Sequence, residues 1–126
     1  MMARRFIVPA ILVVAQANAV VAAQPGMKAV QVLAFPVGKD QSTTIKLPAK
    51  TRNVGFRVQG GPLHCTKVAL VGNDGGSSSV FLNSDLPDKT WIGQGASPGS
   101  FYTSVDVNCR AISPDAKLAI TADGEK

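Results

Sequence analysis

The feature that most constrains this chain is the run 101–110. Phe101, Thr103, Val105, Val107 and Cys109 fall on one face, and Tyr102, Ser104, Asp106, Asn108 and Arg110 on the other. A period of two fits a β-strand with one buried face and does not fit a helix. The run 54–59 repeats the pattern, with Val54, Phe56 and Val58 inward and Arg57 and Gln59 toward water.

Other runs rich in Val, Ile, Phe and Thr lie at 28–37, 43–47, 64–71, 79–82, 90–92 and 117–121. Stretches of Gly, Pro, Asn, Asp and Ser separate them, as turns require. In the first run Val30, Val32 and Ala34 share one face and Leu33 and Phe35 the other. Pro36 marks it as an edge strand. Ile45 and Leu47 point inward before Pro48, as do Leu118 and Ile120 near the end. Val68-Ala69-Leu70-Val71 is apolar on both faces, which predicts a central strand or a local irregularity. Loops are expected at 72–77, 83–89 and 93–100. About eight short strands at roughly 8–12-residue spacing predict an all-β, antiparallel, jelly-roll-like sandwich, with a small closed barrel as the alternative.

The start of the chain has a different character. Met1-Met2-Ala3-Arg4-Arg5 is basic, 6–15 is apolar, and Ala17-Asn18-Ala19 and Val21-Ala22-Ala23 bring small residues at Ala-x-Ala spacing. Basic, apolar, small is the order of a cleavable signal peptide. The leader is read as 1–23, cut after Ala23 or, as second choice, Ala19. An uncleaved anchor is the alternative, but a spanning helix wants about 20 apolar residues, and Gln16 and Asn18 interrupt this run. Membrane contact is therefore expected only through an uncleaved leader. The remainder, 24–126, is one domain with a polar tail at 123–126 that is expected to fray. The location that follows is periplasmic or secreted.

Cleavage would take Arg4 and Arg5 with it, so the net charge falls from +5 to +3. With no dense Lys/Arg run, nucleic acid is not an expected partner. The two cysteines, Cys65 and Cys109, both lie in the exported part. An even pair in an oxidising compartment predicts a disulfide between them. The loop of about 45 residues that it closes is worth about 4 kcal/mol by chain entropy.

No residue pattern announces catalysis. His64 is the sole histidine, and no strand-turn-helix elbow accompanies it to supply a nucleophile. The disulfide takes both thiols. Glu125 is the one glutamate, and Asp85 and Asp88 read as parts of a surface turn, so the paired acids of glycoside chemistry are missing. Asn73, Asp74, Asn83, Asp85 and Asp88 offer oxygens for calcium, but turn chemistry explains them equally. No metal or cofactor is expected. Lys46, Lys50, Arg52, Arg57 and Lys67 suggest a basic strip for an anionic ligand, against the plain reading of a solvated face. Trp91 and Tyr102 flank the 93–100 loop and are candidates for stacking on a sugar. The candidate ligand residues are thus Trp91, Tyr102, Arg57 and Lys67.

The run from Thr43 to Leu82, with its Leu47-Pro48 step, alternating strand, Gly-containing loop, following Trp strand and final β-pair, resembles a group of small periplasmic proteins of Gram-negative bacteria without an assigned activity. The resemblance spans roughly 28–122 and rests on strand order and spacing. It implies a β-sandwich in the periplasm and transfers no site residues. Cys65 and Cys109 are placed differently from that group.

Together these features predict an exported, non-enzymatic module for an envelope ligand or protein, with an anionic or glycan ligand in view. The alternatives are an assembly subunit pairing through the 30–35 edge and an envelope hydrolase built on His64.

Overall fold

A computed structural model describes residues 26–125. The leader expected at 1–23 lies outside the described residues. Eight strands form: β1 (Lys28–Ala34), β2 (Gln41–Thr51), β3 (Asn53–Gln59), β4 (Leu63–Gly72), β5 (Ser77–Leu86), β6 (Trp91–Gly95), β7 (Tyr102–Ala111) and β8 (Lys117–Ala122). They make two four-stranded sheets, in the orders β1-β8-β3-β6 and β2-β7-β4-β5. Every pairing is antiparallel. This is the jelly-roll order. Only β4 and β5 are consecutive neighbours in one sheet, and the other connections cross between sheets.

The predicted inward residues meet between the sheets. Val54, Phe56 and Val58 of β3, Val105 and Val107 of β7, and Leu118 and Ile120 of β8 are almost fully buried. Phe56 meets Phe81 of the opposite sheet edge-on, with ring centroids 6.4 Å apart. Such contacts add to area burial at the sheet interface. Between β3 and β4 the chain reverses through Gly60 and Gly61, at φ 79° and 138°, a region open to glycine alone at little cost.

The disulfide joins Cys65 and Cys109. These residues are register partners on β4 and β7, the two central strands of one sheet, so the bridge links strands within that sheet. Both cysteines are fully buried. A disulfide closed in the core fits an oxidising, extracytoplasmic environment. Among the described residues no helix is long and apolar enough to cross a membrane.

Several boundaries differ from expectation. β1 stops at Ala34, and Val37 makes an isolated bridge to Ala111 instead. It is an edge strand, as Pro36 indicated. A bulge at Val30 turns that side chain onto the core. β2 does not end at Pro48. It continues to Thr51 through a bulge in which Lys50 takes φ 60°. β5 runs on to Leu86, so Asn83 and Asp85 belong to a strand, and β6 takes in Gly93 to Gly95. The doubly apolar segment of β4 has both features expected of it: it is central, and the ladder to β5 shifts register between Val68 and Ala69.

The tail is pinned as far as Glu125. The amides of Arg52 and Asn53 each donate to Asp123 Oδ1 at 2.9 Å, and Asn53 Nδ2 donates to Oδ2 at 2.7 Å. Glu125 N donates to Ala49 O at 2.7 Å. Partial burial works to raise the Asp123 pKa, but these donated hydrogen bonds outweigh it and hold the carboxyl below its usual range.

Two predictions follow from these restraints. Breaking the disulfide, by reduction or as Cys65→Ala/Cys109→Ala, should cost about 4 kcal/mol in urea unfolding; a loss below about 1 kcal/mol contradicts the role given to it. A carboxyl held low in the folded state stabilises above its unfolded-state pKa, and that contribution fades as pH falls through the folded value. Asp123→Asn should therefore lower Tm at pH 7 and match the parent protein in acid below that value. An equal Tm difference at both pH values would show that ionisation of Asp123 contributes nothing.

Candidate functional site

Because strands alternate between sheets, the loops gather at the two ends of the sandwich. One end carries the β4–β5 turn and the β6–β7 connection, and these face each other. Gly72 N donates to Gly76 O at 2.7 Å, and Gly76 N to Asp74 Oδ1 at 2.9 Å, which closes the turn. Asn73 N donates to Phe101 O at 2.9 Å, and Phe101 N returns a bond to Asn73 Oδ1 at 3.3 Å. The second loop is fixed in turn by Ser100 N to Ser97 O and by Ala96 N to Arg52 O. The loops expected at 72–77 and 93–100 are thus tied to one another and to the strand ends.

Tyr102 enters this site through a local irregularity. Alternation along β7 places it on the outer face with Ser104 and Asp106. The β4–β7 register shifts at this point, with Val71 opposite Ser104 and Gly72 opposite Tyr102, which leaves Thr103 as the extra residue. Thr103, expected on the core face, is instead exposed, and its hydroxyl donates to Val71 O at 3.3 Å. The bulge turns Tyr102 onto the end of the core. Its hydroxyl donates to Gly95 O of the opposite sheet at 2.9 Å. Burial pushes the Tyr102 phenol above its usual pKa and keeps it a donor.

The result is a cleft of about 350 Å³ lined by Asn73, Asp74, Gln94, Ser97, Phe101 and Tyr102, among others. Its lining is amide, hydroxyl, one carboxylate and two aromatic rings, with no Lys, Arg or His. Asp74 is seated closely: a Cβ added at Gly72 or Gly76 would lie 3.1 or 3.2 Å from its Oδ1. Asn73 and Asp74 each direct one oxygen to the backbone, which leaves Asn73 Nδ2 and Asp74 Oδ2 available to a ligand.

The four candidate ligand residues do not share one site. Arg57 and Trp91 are register partners on the outer face of the β1-β8-β3-β6 sheet. The indole is 44% exposed and lies over Gly93, whose added Cβ would come within 3.1 Å of it. Lys67 stands on the outer face of the other sheet. It borders a shallow depression of about 520 Å³ with Ser42, Thr44, Asp106 and Asn108. There the Asp106 carboxylate, which accepts from Thr44 Oγ1 at 2.8 Å, offsets the Lys67 charge, and Asn108 Oδ1 is buried without a partner. Tyr102 alone of the four lines the loop-end cleft. The basic strip is dispersed for the same reason: β2 and β4 lie in one sheet and β3 in the other.

His64 is the second residue of β4. Its Nδ1 lies 2.6 Å from Asp85 Oδ1 and its Nε2 3.2 Å from Asn83 Oδ1. Both ring nitrogens are engaged, so neither faces a hydroxyl nucleophile. The calcium candidates separate as well, because Asn73 and Asp74 precede β5 whereas Asn83, Asp85 and Asp88 lie toward its far end. No group of three or more His, Cys, Asp or Glu side chains suited to a metal occurs among the described residues.

In comparisons with known proteins, no family, no curated protein and no solved structure matches the chain.

No sequence pattern by itself brings Asn73, Asp74, Gln94 and Ser97 together as ligand residues. The available signal was the pair of long Gly/Ser/Asn loops flanking the two aromatics. Tyr102 is the only tyrosine, so its environment can be read directly. Absorbance titration should show one tyrosinate transition above pH 10, with Tyr102→Phe silent. A midpoint at or below 10 in the folded protein contradicts the buried, bonded phenol.

Proposed function

We propose that this protein is an exported, non-enzymatic binding module of the periplasm or extracellular space, freed of its leader after Ala23 or Ala19, that takes its ligand at the loop end of the jelly roll. Export is supported by the leader pattern together with the disulfide. The observation that carries the binding site is the cleft between two cross-bonded loops: loops on a fixed scaffold are where sandwiches commonly carry function. Here two loops are cross-bonded, while Asn73 Nδ2 and Asp74 Oδ2 have no hydrogen-bond partner among the described residues. Rigid polar groups bind at less entropic cost than mobile ones. The ligand is a small envelope molecule with the donors and acceptors to meet them.

A second reading, an assembly subunit pairing through the edge at β1, is favoured by one observation. Among the described residues β1 bonds only to β8, and Val32 on it is 49% exposed. A lone exposed edge can accept a further strand. Light scattering on the exported protein separates the two readings by mass.

Calorimetric screening of the full chain, purified after export, against neutral and acidic envelope glycans and small anions tests the main reading. Asp74→Ala and Gln94→Ala should each weaken the binding found by about tenfold, the scale of a lost hydrogen bond to a charged or buried partner. Lys67→Ala should leave it unchanged. Loss in Lys67→Ala with no change in the loop variants, or chemical conversion of the ligand, would overturn the proposal.

A further inference from the structure

Resting on the loop-end reading, we propose that the cleft binds a neutral sugar ring and discriminates against its acidic counterpart. Three observations converge. The lining holds a single formal charge, the Asp74 carboxylate, and no cation. An anionic ligand would meet repulsion with nothing to offset it, whereas a polyol gives Asp74 Oδ2 hydroxyl donors and accepts from Asn73 Nδ2. Hydrogen bonds to a charged acceptor are the stronger kind.

Phe101 and Tyr102 line the same space. The C–H face of a pyranose is apolar and suits an aromatic wall, while its rim of hydroxyls suits the amides and serines. Tyr102 is fixed by its bond to Gly95 O, and the Phe101 backbone by accepting from Asn73 N and donating to Asn73 Oδ1. The Tyr102 side of the cleft is therefore set before a ligand arrives.

Size and placement agree. A cleft of about 350 Å³ is at the small end of ligand sites, and suits one ring or a short end of a chain. The glycines at 72 and 76 hold Asp74 by leaving room for it, since neither takes a positive φ. They are positioning residues for the carboxylate, with no side chain of their own to touch the ligand.

The test uses the exported full chain and the methyl glycosides of glucose, galactose and mannose beside the matching uronates, titrated by calorimetry and NMR. At least one neutral glycoside should bind, with its uronate at least about tenfold weaker. Asp74→Asn keeps the shape and removes the charge, so it should weaken the neutral sugar about tenfold and narrow the gap to the uronate. Gly76→Ala should weaken the neutral sugar while leaving Tm nearly unchanged, and unchanged affinity there would remove the positioning role. A uronate that binds as tightly as its neutral partner overturns the inference. So does failure of every ring to bind. If another ligand is then found whose binding falls in the Asp74 and Gln94 variants, the loop-end reading stands without the sugar. A ligand indifferent to all of these variants overturns both.

Discussion

The bond between Cys65 and Cys109 fixes the pairing on which the rest of the sandwich is arranged. These residues face each other on β4 and β7, the central strands of one sheet, at a sequence separation of 44. The intervening segment contains β5 and β6, which lie on different sheets. Joining its ends removes much of the freedom an unfolded chain would otherwise have. A domain this small buries a modest core, so restraint at a central rung carries a large share of its stability. β2 then adds beside β7 and β5 beside β4, and the second sheet packs its apolar face against both.

Alternation between sheets has a functional consequence. Residues close in sequence are carried apart: Arg57 lies on the opposite sheet from Lys46 and Lys67, and β7 stands between the strands of those two, so the three form no strip. Residues far apart in sequence meet at the ends. The β4–β5 turn and the β6–β7 connection are neighbours because β5 and β6 are the edges on the same side of the two sheets. Jelly rolls host many roles, so the fold alone assigns none. What distinguishes this end is the chemistry of the side chains gathered there.

Much of the fold could be read from periodicity. The inward faces of β3, β7 and β8, the edge position of β1 and the paired cysteines all follow from a period of two and the compartment implied by the leader. The unread parts share a cause: they depend on partners distant in the chain. Asn83, Ser84 and Asp85 have weak strand propensity, yet they are held as strand because β4 lies beside them. Asp123 reads as tail, but its acceptors are filled by Arg52 and Asn53, 71 and 70 positions away. Thr103 reads as core until the register with β4 shifts and releases it. That single bulge also decides the site, because it moves Tyr102 from an outer face to the cleft. Trp91 stays where alternation puts it, away from that cleft.

The most direct measurement is the intact and peptide mass of the protein recovered from its own host. The expected product begins at Gln24 or Val20 and is lighter than the dithiol chain by two hydrogens, with the Cys65 and Cys109 peptides joined. A cytosolic chain that still begins at Met1 and carries two free thiols would contradict both the export and the staple that organises the fold.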